Sequence, residues 1–137
     1  MKKRFRFILV DDDPFALALE EKLIQGLDEC AETISFACAS EALTFIVQEY
    51  DWKKNAIPTV ILTDLHMPET DGLALLDSIE ELENVIKGQF HVFVLSAAAS
   101  PIEVQKARSH YFVKGCHSKP LSSELVNQII KRIQYPD

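Results

Sequence analysis

Long apolar runs, cysteine pairs and an excess of positive charge are all missing from this chain of 137 residues. No window approaches the roughly 18 consecutive apolar residues that a membrane span needs, and the run from Phe7 to Val10 is too short for a secretory signal. The three cysteines form no Cys-x-x-Cys pair, which argues against a disulfide framework and against a zinc site. We therefore expect a soluble, cytoplasmic protein without membrane contact.

The charge balance is acidic. Fourteen Lys and Arg stand against twenty-one Asp and Glu, which gives a net charge of -7. Because phosphate backbones are held by clustered cations, this balance argues against direct nucleic-acid binding. Hydrophobic residues make up 47% of the chain, which is enough for a packed core. The length fits a single domain over residues 1–137, with an ordered core of about 5–134.

Short β-prone segments alternate with longer segments of helical period. The strand candidates are rich in Val, Ile, Phe and Leu, and they span Phe5–Val10, Thr33–Ala37, Thr59–Thr63, Phe90–Leu95 and about Phe112–His117. Five βα units in succession predict an α/β fold with right-handed crossovers. The expected architecture is a flavodoxin-like, doubly wound, five-stranded parallel sheet of order 2-1-3-4-5, with five helices on two faces.

The first predicted helix follows directly after the first strand. Asp13 supplies an N-cap, and Pro14 fits the first helical position. Apolar residues then recur on one stripe, the pattern of a helix packed on a sheet, at Phe15, Leu19, Leu23 and Leu27.

Ligands of such sheets bind beyond the carboxyl ends of the strands, so the residues that end the strands decide the functional argument. Strand 1 ends in Asp11 and Asp12, strand 3 in Asp64, strand 4 in Ser96, and strand 5 just before Lys119. Three carboxylates on adjacent strands repel one another, each pair by about 4 kcal/mol at roughly 4 Å and an effective dielectric of about 20. A sequence selected for stability alone would not collect them without a counter-ion.

These charges predict a divalent cation. Lys119 offsets one of the three carboxylates and leaves a charge near -2. Oxygen ligands without His or Cys in the cluster favour Mg²⁺. A metal-bound carboxylate beside a lysine and a hydroxyl is suited to attack phosphorus and form an acyl phosphate. The residues alone leave open which carboxylate is the nucleophile.

With these residues in place, the chain resembles the CheY-like receiver domains of two-component response regulators over essentially its whole length. The matching segments are Ile8–Asp12, Val60–Gly72, Val92–Ala97 and Ser118–Leu121, and the second holds the block Asp-Leu-His-Met-Pro-Glu-Thr-Asp-Gly. The resemblance implies a phosphorylation-dependent signalling switch that catalyses only its own phosphorylation and dephosphorylation. Its phosphoryl donor would be a histidine kinase or a phosphotransfer protein.

Carried over position by position, the resemblance makes Asp64 the phosphoacceptor. Asp11 and Asp12 would hold Mg²⁺ together with Asp64. His66, two residues after the acceptor, would give the metal its backbone carbonyl rather than its imidazole.

The same resemblance assigns the phosphoryl contacts and the surrounding loops. Ser96 and Lys119 would contact the phosphoryl group. Pro68 and Gly72 would shape the loop beside the site, where glycine permits the turn into the third helix. Pro120 would shape the connection after strand 5, and we expect the bond between Lys119 and Pro120 to be cis.

One position departs from the family pattern. Receivers usually carry Tyr or Phe three residues before the lysine, as a rotameric switch coupled to the Ser or Thr, and here that position is Cys116. With Ser96, Ala97 and Cys116 as the switch positions, we therefore expect the loop Ser96–Ser100 and helix 4 to transmit the signal. The output face would be helix 4, strand 5 and helix 5, where a downstream protein or the second copy in a homodimer would bind.

Two alternatives stay open. One is a phosphatase of the haloacid-dehalogenase type, whose Asp-x-Asp-x-Thr/Val pattern is approached by Asp11 and Asp13, although Phe15 takes the place of Thr or Val. The other is an interaction domain of the same fold that works without phosphorylation. Nothing that resembles an output domain follows Tyr135, so we expect either a stand-alone receiver or a part of a longer regulator.

Overall fold

The computed structural model describes residues 4–49, 57–67, 71–82 and 88–135. Five parallel strands form one sheet in the order β2-β1-β3-β4-β5. The strands are β1 (Phe5–Val10), β2 (Cys30–Phe36), β3 (Thr59–Thr63), β4 (Phe90–Ser96) and β5 (Val113–Ser118). The described ranges contain five α-helices, which are α1 (Pro14–Gln25), α2 (Ala39–Thr44), α3 (Gly72–Glu80), α4 (Pro101–Arg108) and α5 (Ser123–Gln134). The predicted flavodoxin-like fold and its strand order are confirmed.

Side chains of the central strands alternate between two cores. In β1, Ile8 and Val10 face one core, and Phe7 and Leu9 face the other. Helices α2, α3 and α4 cover the first core, and α1 and α5 cover the second. Because both faces of the sheet are buried, the central strands are nearly continuous in apolar character. None of the helices in the described ranges combines the length and the apolar character needed to cross a membrane.

The predicted bounds of the second strand are wrong at its start. The strand begins at Cys30 rather than at Thr33, and it ends at Phe36. β2 lies at the edge of the sheet and pairs only with β1, and it is exposed at Glu32. A half-exposed strand has no continuous apolar run, so its first residue cannot be identified from apolar residues alone.

Helix α1 turns a different face to the sheet than its apolar stripe predicts. Phe15 is 84% exposed and Leu19 is 39% exposed, whereas Glu20 and Ile24 are buried. The N-cap is Asp13 as predicted, and its carboxylate accepts the backbone N–H of Phe15. The predicted buried stripe is therefore wrong at its first two positions. Phe15 and Leu19 lie at the surface, near the carboxyl ends of the strands.

Candidate functional site

The carboxyl ends of β1 and β3 bring three carboxylates together. Asp11 and Asp12 follow β1, and Asp64 follows β3, its neighbour in the sheet. One carboxylate oxygen from each residue lies within 4.8 Å of the other two. Asp11 and Asp64 are buried, whereas Asp12 is exposed. The three side chains expected to hold a divalent cation thus meet at one point, and one of them is open to solvent.

Lys119 reaches this cluster from the connection between β5 and α5. Its Nζ lies 2.5 Å from Oδ2 of Asp11 and 2.8 Å from Oδ2 of Asp64. Burial alone would lower the pKa of this amine, but its hydrogen bonds to the two carboxylates outweigh burial and hold that pKa above its ordinary value. The peptide bond between Lys119 and Pro120 is cis, as predicted.

The pKa of the Asp11 carboxyl is shifted by its surroundings. Burial raises its pKa above the ordinary value, and the charge of Asp64 adds to this increase. Hydrogen bonds from Lys119 and from the backbone N–H of Asp13, at 2.9 Å, act in the opposite direction. Because a bound cation favours the ionised carboxylate, metal binding and proton release are coupled at this position.

Both oxygens of the Asp64 side chain accept hydrogen bonds. Oδ1 accepts the backbone N–H of His66 at 3.2 Å, and Oδ2 accepts the amine of Lys119 at 2.8 Å. These two donors fix the plane of a carboxylate that is 7% exposed. A carboxylate held in this way would need little reorganisation to act as the nucleophile, which is the role expected for Asp64.

Ser96 ends β4, which pairs with β3 on the side away from β1. Ser96 and Asp11 therefore follow strands on opposite sides of β3, the strand that leads to Asp64. The residue is 4% exposed, and its Oγ has no hydrogen-bond partner in the described structure. A buried polar atom without a partner costs about 1–3 kcal/mol, so this hydroxyl indicates a place where a polar group of a ligand would bind. A phosphoryl oxygen beside Asp64 would satisfy it.

Gly72 is required for close packing and not for an unusual backbone angle. A Cβ atom at this position would lie 2.2 Å from the carbonyl oxygen of Asp64 and 2.9 Å from the Cα of Leu65. No glycine in the described ranges has a positive φ, so the expected role in permitting a turn is corrected to one of close approach. Pro68, which was expected to shape the same loop, lies outside the described residues.

The imidazole of His66 contacts α4 rather than the carboxylates. Its Nε2 lies 2.7 Å from Oε2 of Glu103, in the first turn of that helix. Glu103 also forms the capping box with Ser100, and hydrogen bonds from the backbone of Ser100 and from His66 lower the pKa of its carboxyl. The pair therefore connects the loop after Asp64 to the start of α4. Because the imidazole is bound to Glu103, the backbone carbonyl of His66 stays the expected metal ligand.

Glu20 is a fourth carboxyl near the cluster, and the sequence analysis missed it. It lies on the inner face of α1 and is 3% exposed. Burial raises its pKa to about 8, and the charge of Asp11 adds to the increase. Ile24, one helical turn further along, is also buried, and this spacing was the available signal that Glu20 faces inward.

Comparison with known proteins identifies the family. A model of the response regulator receiver domain matches residues 7–131. The chain belongs to this family. A gliding motility regulatory protein of Myxococcus xanthus is 30% identical over an alignment of 135 residues that covers 96% of this chain and 15% of that protein. The receiver domain thus spans a small part of that relative.

Solved structures share the fold of this receiver domain. A two-component response regulator from Cytophaga hutchinsonii has a TM-score of 0.82 at 23% identity, over 96% of this chain and 98% of its own. The Mn²⁺-bound form of the response regulator Rcp1 has a TM-score of 0.71 at 20% identity, over 93% of this chain and 90% of its own. Family membership confirms the predicted function class, a phosphorylation-dependent switch of two-component signalling.

The two alternatives are not favoured. In the phosphatase pattern Asp13 would be the second acid of the site, but its carboxylate accepts the N–H of Phe15 at 2.9 Å and caps α1. An interaction domain that works without phosphorylation has no need of a complete acidic cluster. Here Asp11, Asp12 and Asp64 are all present and close together.

Proposed function

We propose that this receiver domain accepts a phosphoryl group on Asp64. Mg²⁺ would be held by Asp11, Asp12 and Asp64, and by the backbone carbonyl of His66. The observation that supports this best is the meeting of three carboxylates within 4.8 Å beside the amine of Lys119. A set of oxygen ligands that is partly open to water suits Mg²⁺, which keeps several waters. The existence of a Mn²⁺-bound Rcp1 of the same fold supports a divalent cation here.

In the proposed reaction an oxygen of Asp64 forms a bond to phosphorus while the bond from phosphorus to a histidine nitrogen of the donor breaks. The electron pair of the broken bond leaves with the donor imidazole. Lys119 stays charged and pairs with one phosphoryl oxygen, and the Oγ of Ser96 donates to another. Bound Mg²⁺ supplies further neutralisation of the phosphoryl charge.

The donor in this proposal is a histidine kinase or a phosphotransfer protein. We propose that the domain catalyses only its own phosphorylation and dephosphorylation and acts on no other substrate. We also propose that residues 1–137 form one domain that works in the cytoplasm. The free cysteines Cys30, Cys38 and Cys116 accord with a reducing compartment.

The test of this function is the intact mass after incubation with acetyl phosphate and Mg²⁺. We expect one labile phosphoryl adduct for each chain. The adduct should be absent when EDTA replaces Mg²⁺, and much reduced in the Asp12→Ala variant, which loses one metal ligand. An unchanged mass of the parent in the presence of Mg²⁺ would contradict the proposal.

A groove beside Lys119 supports the approach of a protein donor. It has a volume of about 320 Å³ and lies between α1 and the β5–α5 connection, bordered by Phe15, Leu19, Pro120 and Leu121. Phe15 is 84% exposed, which leaves a large aromatic side chain open to solvent at the border of the groove. We propose that an apolar helix surface of the phosphodonor packs on this groove.

Phe15→Ala is expected to slow phosphotransfer from a phosphorylated histidine kinase by about tenfold or more, which corresponds to roughly 1.4 kcal/mol of lost docking energy. Acetyl phosphate is too small to use the groove, so the rate with that donor should not change. Ile102→Ala removes another exposed apolar side chain, on α4, and serves as the matched control. Equal slowing with both donors would show that Phe15 acts on the acceptor site instead of on docking.

We propose that the output face comprises α4, β5 and α5, and that it binds a downstream protein or a second copy. A cavity of about 170 Å³ lies beside Ser96, and its walls include Ala97, Ala99 and Cys116. Cys116 is too small to alternate between a buried and an exposed position as an aromatic ring would. The free space beside it supports movement of residues 97–99 when Ser96 shifts toward a phosphoryl group.

Amide hydrogen exchange with and without a beryllofluoride adduct, which mimics the phosphoryl group, measures this transmission. We expect larger changes in protection at Ala97–Ala99 than along β5, because the loop carries the movement. Changes concentrated around Cys116, with the alanine loop unaffected, would contradict the proposed route.

A further inference from the structure

A cationic cavity lies beside the edge strand β5, and Phe93 of the neighbouring strand β4 also lines it. It has a volume of about 340 Å³ and opens between α4 and α5. Its wall contains one cation from each of three elements: Arg108 from α4, Lys114 from β5 and Arg132 from α5. Among the described residues no carboxylate lines it, although the chain as a whole has a net charge of -7.

These cations are positioned but not neutralised. No ion pair is recorded for any of the three within the part of the chain that the structure describes. The amine of Lys114 donates to the backbone carbonyl of Tyr111 at 3.3 Å. Burial raises the pKa of the Cys116 thiol, and the nearby charge of Arg108 acts in the opposite direction. The acceptor of Lys114 is neutral, so the charge of all three cations is available to an anion.

The floor of the cavity is a flat imidazole. A Cβ atom on Gly115 would lie 2.8 Å from Nε2 of His117, so the absence of a side chain there makes room for the ring. The ring stacks on Phe93 with centroids 6.3 Å apart. Burial and the nearby charge of Arg108 lower the pKa of His117, which favours the neutral ring. A neutral imidazole can donate one hydrogen bond and accept another.

We propose that this cavity binds a phosphate-bearing small molecule, with its anionic groups held by Arg108, Lys114 and Arg132. A volume of about 340 Å³ lies within the range of small-ligand pockets. Guanidinium groups match phosphate oxygens with paired hydrogen bonds. Three cations around so small a space suit the charge density of a phosphate ester or a diphosphate better than that of an extended acidic peptide. The proposal does not depend on the role of Asp64.

Inorganic pyrophosphate is the probe for this site, titrated into the full chain in EDTA and followed by amide chemical shifts in NMR spectra. We expect saturable shifts centred on Lys114–His117. Arg108→Gln and Arg132→Gln should each weaken binding by about tenfold, equal to roughly 1.4 kcal/mol. The matched controls are Lys106→Gln and Lys131→Gln, which remove the same charge from the same helices outside the cavity and should change affinity little. The spectra themselves report whether each variant is folded.

Four outcomes would overturn the proposal. They are the absence of saturable shifts, equal weakening in the control pair, shifts centred on Asp11 and Asp64, and binding of an oligoglutamate peptide in place of pyrophosphate. The second would show general electrostatic attraction only. The third would place the anion at the acceptor site, and the fourth would assign the cavity to an acidic segment of a partner protein.

Discussion

The Asp64→Asn variant should take up no phosphoryl group from acetyl phosphate while remaining folded. The amide has no anionic oxygen to attack phosphorus, and it replaces the carboxylate whose oxygens are held by Lys119 and by the backbone N–H of His66. The substitution also removes one of three carboxylates that meet within 4.8 Å. We therefore expect the free energy of unfolding in EDTA to be at least as high as that of the parent.

Intact mass and urea denaturation measure these two effects. Asp28→Asn is the matched control, because Asp28 is exposed in the connection between α1 and β2 and carries the same charge. The control should take up the phosphoryl group normally and show no gain in stability. Phosphorylation of Asp64→Asn at the rate of the parent would mean that Asp64 is not the acceptor.

The second large effect is on how stability depends on pH. Glu20 has a pKa of about 8 in the folded state, against 4.5 for an ordinary glutamate. Between these two values the folded protein holds a proton that the unfolded chain has lost. The free energy of unfolding therefore falls as pH rises from 4.5 toward 8, by about 1.4 kcal/mol per pH unit.

Glu20→Gln should remove this contribution, because the amide stays neutral in both states. The variant should match the parent near pH 5 and exceed it by roughly 3 kcal/mol at pH 8. Urea denaturation across this range in EDTA is the measurement, since a cation at the cluster would itself change the pKa of Glu20. Glu81→Gln, at an exposed carboxylate, is the control and should keep the pH dependence of the parent. Persistence of that dependence in Glu20→Gln would assign it to another group.

The position of the acidic cluster could be predicted because it follows from topology. In a parallel sheet the carboxyl ends of β1 and β3 are neighbours, so Asp11 and Asp64 must meet even though they are far apart in the chain. The buried central strands could be located in the sequence from their continuous runs of apolar residues. Lys119 was expected to offset part of the charge of this cluster, and its amine lies beside the carboxylates of Asp11 and Asp64.

The face of α1 that packs on the sheet could not be predicted, because some apolar residues of this helix are buried in the core and others lie at the surface. Phe15 and Leu19 keep the helical period of a buried stripe, yet they lie at the surface beside the site. Glu20 is buried at a position where composition argues for exposure. The reason for glycine at position 72 could not be predicted either. Only the distance to the Asp64 carbonyl shows why a side chain does not fit there.

Borohydride reduction followed by peptide mass mapping tests the central claim most directly. Borohydride reduces the acyl phosphate of an aspartate to the alcohol, so a phosphorylated aspartate is recovered as homoserine. After treatment with acetyl phosphate and Mg²⁺, we predict homoserine at position 64 and at no other position. Homoserine in place of Asp11 or Asp12, or a stable phosphoryl group on a serine or histidine with residue 64 unchanged, would contradict the assignment of Asp64 as the phosphoacceptor.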